Sequence, residues 1–169
     1  MKTIPLSKGK YAIVDDEDYE ELTKHKWCTR KQGRTFYAVR NIPTGSGKWR
    51  VIKMHSTILG TLPGQEVDHV NGEGLDNRKS NLRFCTHAQN CMNQRPPQGC
   101  SSVYKGVHWH KSGGKWRAQI RLAGRRYHLG YFTDEIAAAR AYDSAAMKYF
   151  GEFARLNLPR VEPRVAVEE

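Results

Sequence analysis

Between Val67 and Asn90 the chain is dense in carboxylate, imidazole and amide side chains and short of bulky apolar ones, so burial does not explain its composition. His69 can take a proton from water at neutral pH, because an imidazole titrates near 6.5. Asp68 beside it and Asn90 further on offer hard oxygen atoms. Mg2+ or Mn2+ takes a few such oxygens and leaves its other positions to water and phosphate. A proton acceptor next to one divalent metal ion is equipment for hydrolysing a phosphodiester. If His69 is the base it does not bind the metal, which separates this design from a His-rich zinc site.

Those side chains need elements that bring them together. Val67 and Val70 bracket Asp68 and His69, which suits a strand presenting the pair at its end. Leu82 and Phe84 alternate with Arg83 and Cys85 in a second strand. Thr86 can cap a helix in which Asn90 lies one turn in. A hairpin followed by a helix then gathers Asp68, His69 and Asn90. His87 is a fallback ligand, and His55 reads as a structural histidine.

Upstream, Tyr11 to Val14 and Thr35 to Arg40 read as strands, with a short acidic helix over residues 15–24. The turn from Pro43 to Lys48 leads into Trp49 to Met54, making a hairpin of residues 35–54. Ser56 is placed to cap a short helix ending at Gly60. Asn93 to Gly99 is polar and rich in Pro and Gly, which suits a linker.

The formal charge is +11 over 169 residues, so a polyanion is the expected partner and nucleic acid the default one. Residues 1–60 hold twelve basic against six acidic groups, residues 61–100 four against four, residues 101–160 eleven against four, and residues 161–169 one against three. A neutral segment between two cationic blocks is where acidic metal ligands can work while the flanks grip a backbone. A ribosomal or chromatin-like basic protein has the same overall charge. No stretch approaches the roughly 18 apolar residues of a membrane span, and residues 1–5 do not resemble a signal peptide. Cys28, Cys85, Cys91 and Cys100 form no Cys-x-x-Cys pair, so a reduced setting fits, with Cys85 and Cys91 as small buried hydrophobes. The expected location is the cytoplasm of a bacterial or phage-infected cell.

Asp68-His69, Asn81 and Asn90, with Asp76-Asn77-Arg78 and Ser80-Asn81-Leu82-Arg83 between them, resemble the HNH or ββα-metal nuclease motif, particularly its homing endonuclease branch. The resemblance covers about 25 residues. It implies a catalytic His69 that activates water, a catalytic-loop brace at Asn81, for which Asn77 is a rival, and one divalent metal held by Asp68 and Asn90. Residues 1–60 are similar to the segment that often precedes this motif. They form an expected α+β segment whose Lys48, Arg50 and Lys53 contact the DNA backbone.

After the linker, Val103 to Trp109, Lys115 to Leu122 and Arg126 to Phe132 read as three antiparallel strands. Alternation puts Trp116, Ala118, Ile120 and Leu122 on one face and Lys115, Arg117, Gln119 and Arg121 on the other. In the third strand Tyr127, Leu129 and Tyr131 share one parity and Arg126 and His128 the other. Thr133 is the expected N-cap of a helix whose Ile136, Ala139, Tyr142, Ala146 and Tyr149 recur at helical spacing until Gly151. A face of Arg, Lys, Gln and His can lie in a DNA major groove, where Arg reads guanine and Gln adenine.

Tyr104-Lys105-Gly106-Val107, Gly114-Lys115-Trp116, Leu129-Gly130-Tyr131-Phe132, Ala138 to Asp143 and Leu156 to Pro159 resemble the AP2/ERF DNA-binding domain over the whole module. The resemblance implies DNA contacts from Lys105, His108, His110, Gln119, Arg121, Arg126 and His128, with Lys115 and Arg117 on the same cationic face. Several of these are Arg or Trp in plant factors but Lys or His here, so the resemblance does not imply the plant recognition sequence. The aromatics Trp109, Trp116, Tyr127, Tyr142, Tyr149 and Phe150 read mostly as core.

The expected fold class is α+β: a small ββα-metal nuclease core over 61–93, a linker over 94–100, an AP2/ERF-like sheet on one helix over 101–159, and a tail over 160–169. The expected activity is metal-dependent, sequence-specific endonuclease cleavage of double-stranded DNA by a monomer, without a small-molecule cofactor or membrane. A non-catalytic AP2-type regulator with a degenerate nuclease segment is the alternative, and an RNA-binding basic protein the third reading.

Overall fold

A computed structural model describes residues 1–45, 47–96 and 99–159. Ser46 of the predicted turn, Pro97 and Gln98 of the predicted linker, and the predicted tail over 160–169 lie outside the described residues. Among the described residues the fold is α+β with antiparallel sheets, and it divides into two compact units that meet between Asn93 and Gln94 in the sequence.

In the first unit, β1 (Lys2–Pro5) pairs with β2 (Tyr11–Val14), and α1 (Asp16–Thr23) follows. Asp16, Glu17 and Asp18 occupy the first turn of α1, where the helix dipole favours negative charge. Next come β3 (Cys28–Gln32), β4 (Thr35–Pro43) and β5 (Trp49–Lys53), a sheet with β4 in the middle. Ile4, Ala12, Val14, Leu22, Trp27, Ala38 and Met54 form the core, each at most 3% exposed. Burying a side chain of Val, Leu or Met size contributes about 2 kcal/mol. Trp27 Nε1 donates to Leu22 O at 2.8 Å, so the buried indole N–H is satisfied.

Helix α2 (Met54–Ile58) starts two residues before the expected Ser56 cap, with Lys53 at the N-cap position and no side-chain cap bond. Met54 and His55 are both buried, so tertiary packing rather than capping sets where this helix begins. The hairpin that carries Asp68 and His69 is β6 (Glu66–His69) against β7 (Leu82–Cys85), followed by α3 (His87–Asn93). Thr86 and Gln89 form a reciprocal capping box: Gln89 N donates to Thr86 Oγ1 at 3.2 Å and Thr86 N donates to Gln89 Oε1 at 2.8 Å. The fold does not divide at residue 60. Ile13 N donates to Leu75 O and Asn77 N donates to Ile13 O, both at 2.8 Å, which ties β2 to the loop between β6 and β7.

The second unit is a sheet of order β10-β9-β8, with β8 (Val107–His110), β9 (Lys115–Leu122) and β10 (Arg125–Phe132), packed on α4 (Glu135–Phe150). Asp134, not Thr133, caps α4 by accepting from Ala137 N at 2.7 Å. The buried face of α4 is Ala138, Ala139, Tyr142, Asp143, Ala146 and Phe150, while Ile136 and Tyr149 are exposed. The stripe is therefore rotated from the expected one. Alanines at its centre let the helix backbone come close to Val107 and Ala118 in the same core.

Register corrects the face assignment in β10. Tyr127 pairs with Ile120 and His128 with Gln119, but Gly130 pairs with Ala118 and Tyr131 with Arg117. Leu129 is the extra residue of a β-bulge, and beyond it the parity reverses. Tyr131 therefore joins the cationic face, 4.5 Å from the His128 ring and 5.0 Å from His110 by ring centroids. Phe132 takes the packing side opposite Trp116.

Gly106 has φ +78, and a Cβ there would lie 2.0 Å from the Tyr142 ring. Gly106→Ala should destabilise the second unit by about 3 kcal/mol through overpacking and backbone strain, read as a lower midpoint in chemical denaturation.

Candidate active site

Strand alternation sends the adjacent residues Asp68 and His69 in opposite directions. Asp68 turns toward Arg83, its partner across the ladder, and toward the end of α3. His69 turns toward Tyr37 of β4 and His55 of α2. Glu66 shares the Asp68 side of the strand. Helix α3 runs along that side, so Asn90 lies on Glu66 and Asn93, one turn later, lies on Asp68.

Asp68 is 6% exposed and fully engaged. Arg83 donates to its Oδ2 from the terminal guanidinium nitrogen at 2.7 Å and from Nε at 3.1 Å. Asn93 Nδ2 lies 3.0 Å from each carboxylate oxygen, 2.9 Å from His69 O and 3.3 Å from Val70 O. A buried carboxylate keeps its charge only when paired and hydrogen-bonded, and here both conditions hold. Sequence reasoning missed Asn93, because at the edge of a Pro/Gly-rich stretch it reads as linker.

His69 is 4% exposed. Its Nε2 is 3.3 Å from Asn77 Oδ1, and Asn77 Nδ2 in turn donates to Leu75 O at 3.3 Å. An amide oxygen only accepts, so Nε2 carries the hydrogen and Nδ1 keeps its lone pair. Burial holds the imidazole below its ordinary 6.5, against the upward pull of Asn77 and Asp68. The His55 ring lies 4.9 Å from the His69 ring, and Tyr37 lies 5.7 Å from each. Burial, with the neighbouring His69 and Lys53, pushes His55 down to about 3. Both imidazoles are thus neutral at neutral pH. No local sequence signal points to the pairing of His55 with His69, which lie fourteen residues apart on different elements.

Asn81 is 6% exposed, and its amide spans the loop between the hairpin strands. Its Oδ1 accepts from Asn71 N at 3.0 Å, and its Nδ2 donates to Asn71 Oδ1 at 3.0 Å and Asp76 O at 2.8 Å. Arg78 forks onto Asp76 with two bonds of 2.7 Å, holding that carboxyl below the usual carboxylate range. The two asparagines that are rivals in sequence therefore have different partners: Asn81 the loop, Asn77 the imidazole.

Asn90 makes no side-chain bond to Asp68 or His69 among the described residues. Its Nδ2 donates to Glu66 Oε2 at 2.9 Å, and this bond is the main cause holding the Glu66 carboxyl below its usual range. Glu66 Oε1 also meets His87 Nδ1 at 2.9 Å. No group of three or more His, Cys, Asp or Glu side chains among the described residues is arranged to hold a metal. On the Asp68 side, Asp68, Glu66 and the side-chain oxygen of Asn90 are hard oxygens, with the His87 imidazole against Glu66 the one nitrogen donor named beside them. The three oxygens are of the kind that a magnesium-like ion takes while keeping several waters.

In the second unit the cationic face carries Arg126 opposite Arg121, His128 opposite Gln119, His108 opposite Arg117, and His110 opposite Lys115. Burial, with Arg117 and Arg126, holds His108 below 6.5. Lys105 lies just before β8, its backbone clamped by Asn157, whose Oδ1 accepts from Lys105 N at 2.6 Å and whose Nδ2 donates to Lys105 O at 3.1 Å. No helix among the described residues is long and apolar enough to cross a membrane.

Family comparison matches both units. Residues 57–92 fit the HNH endonuclease family model and residues 102–152 the AP2 domain model. The chain is 30% identical over 153 residues to "Uncharacterized HNH endonuclease L560" of Acanthamoeba polyphaga mimivirus, covering 89% of this chain and 76% of that protein. It is 42% identical over 86 residues to dehydration-responsive element-binding protein 2D of Arabidopsis thaliana, covering 49% of this chain and 41% of that one. APETALA2-like protein 2 of Oryza sativa subsp. indica is 42% identical over 64 residues, 38% of this chain and 15% of that protein. The plant similarity is thus confined to part of each chain, whereas the viral one runs through both units. With its nuclease segment and its AP2 domain in one chain, this protein belongs to the HNH endonuclease family.

Proposed function

We propose that this protein is a site-specific DNA endonuclease that cleaves a phosphodiester with His69 as general base and grips duplex DNA with the cationic face of its AP2 unit. The observation that carries the reading is the 3.3 Å contact of His69 Nε2 with Asn77 Oδ1: an amide oxygen accepts, which assigns the hydrogen to Nε2 and leaves Nδ1 to take a proton from water. Burial keeps that nitrogen unprotonated at neutral pH, as a base must be. Asn81 keeps the loop in shape around it.

Asp68 and Asn90 would hold one Mg2+ or Mn2+ on the other side of the strand. When bound, such an ion neutralises phosphate charge and stabilises the leaving oxygen. Asn93 and Arg83 orient the Asp68 carboxylate. In the AP2 unit, Arg121, Arg126, Gln119 and the histidines 108, 110 and 128 supply base-edge and phosphate contacts, with Lys105, Lys115 and Arg117 beside them. Action as a monomer inside a bacterial or virus-infected cell completes the proposal.

One observation favours a rival reading, a non-catalytic AP2-type regulator: Arg83 already neutralises Asp68. Incubating the protein with plasmid, with and without Mg2+, separates the two, since a regulator leaves the plasmid intact in both. On the endonuclease reading, His69→Ala lowers cleavage at least about a thousandfold while DNA affinity stays within about twofold. Unchanged cleavage by that variant would refute the assignment.

The sign of the pH effect follows from the lowered pKa. The base works only when neutral, so activity is full at and above pH 6.5 and is lost as pH falls through a lower value. A single-turnover pH profile should place the acid limb below 6.5. In the AP2 unit, Arg121→Ala should weaken binding by about 2 kcal/mol, seen in a binding titration as roughly a thirtyfold higher Kd.

A further inference from the structure

We propose that Lys53 is a catalytic residue of the nuclease site, its ammonium binding a non-bridging oxygen of the DNA backbone beside His69. The proposal rests on the reading that the first unit cuts DNA.

By sequence Lys48, Arg50 and Lys53 are equivalent backbone contacts. The sheet separates them. Lys53 pairs with Val39 and Arg50 pairs with Ile42 across the β4–β5 ladder. Paired residues share a face, and positions two apart along a strand share it too. Lys53 therefore lies on the face of Tyr37, and Arg50 lies on the opposite face with Arg40 and Ala38. That opposite face closes on Trp27: Ala38 shares its core, and the Arg40 guanidinium lies 5.4 Å over its ring. Lys48 precedes the strand.

Lys53 Nζ is 5.6 Å from the centre of the Tyr37 ring, and that ring is 5.7 Å from His69. The two residues after Lys53, Met54 and His55, are 0% and 3% exposed. Its backbone is thus anchored in the core and its side chain is exposed, which limits how far the ammonium strays from the imidazoles. Burial first, then His69 and the Lys53 charge, lower the buried His55 at the end of this path.

The other cations of the motif are committed. Arg83 is paired with Asp68, Arg78 with Asp76, and Lys79 with Glu17 and Asp18. Among the described residues no carboxylate lies within ion-pair distance of Lys53 Nζ, which lies over the face of the Tyr37 ring. An ammonium on a flexible stem binds phosphate as a point charge without demanding a fixed fork. A cation already in place where charge builds up during phosphodiester cleavage lowers the barrier more than it tightens binding.

The test uses the full chain with Lys53→Met, which keeps a long stem over Tyr37, and Lys53→Arg as the conservative variant. Lys53→Gln is a second neutral variant if the first fails to fold. Single-turnover cleavage of plasmid at saturating DNA with Mg2+ should fall about a hundredfold in Lys53→Met and recover to within about tenfold of wild type in Lys53→Arg. Affinity for the same DNA in EDTA should fall only about threefold, and the slope of log K against log salt should lose about one phosphate contact. Wild-type cleavage by Lys53→Met at saturation, or equal losses in binding and cleavage, would overturn the proposal. If the wild-type protein does not cut, the endonuclease reading fails instead, and the salt slope alone decides: a slope reduced by about one supports a phosphate at Lys53, and an unchanged slope overturns it.

Discussion

The chemistry of the first unit depends on the four-residue pairing of β6 with β7. A strand turns successive side chains to opposite faces, so one peptide bond separates a carboxylate facing α3 from an imidazole facing β4 and α2. The pairing places Arg83 beside Asp68 and returns the chain so that Thr86 and Gln89 can start α3. Each side then receives its own support. Asn93 satisfies the carboxylate and two nearby carbonyls, while Asn77 orients the imidazole. A one-residue slip in this register would exchange the two faces and leave a charged group buried among Tyr37 and His55.

Much of this was legible in the sequence where the information is local. Alternation in Lys115 to Leu122, the acidic first turn of α1 and the apolar brackets around Asp68-His69 each follow from neighbouring residues, and the structure has those elements. What could not be read is non-local or depends on a single irregularity. The parity of Tyr131 reverses because Leu129 has no partner, and nothing in an alternating run of residues announces an unpaired one. Strands β1 and β3 carry too little apolar alternation to stand out: β1 buries only Ile4, and β3 buries none of its residues completely. His55 and Asn93 acquire their surroundings from elements distant in the chain. Asn81 and Asn77 were recognisable as candidates, but only hydrogen bonds divide their work between loop and ring.

The two units handle charge differently. In the first, most cations of the motif are spent on carboxylates within the fold, which holds a loop of polar side chains in one shape. In the second, the sheet face lines up Arg, Lys, Gln and His with α4 covering the other side, so the cations point outward. A rigid polar loop and a cationic sheet face are what the proposed cutting and holding respectively require.

The bridge between Ile13 and the loop at Leu75 to Asn77 also governs when the site comes into being. Its hydrogen bonds join backbone groups more than sixty residues apart, and long-range pairings of this kind form late because the intervening chain must first be ordered. During synthesis β2 emerges well before the loop it pairs with, and Asn93 follows later still. The imidazole, its amide partner and the fully bonded carboxylate therefore cannot all be in place before Asn93 has been made, so a shorter nascent chain holds these residues without their geometry.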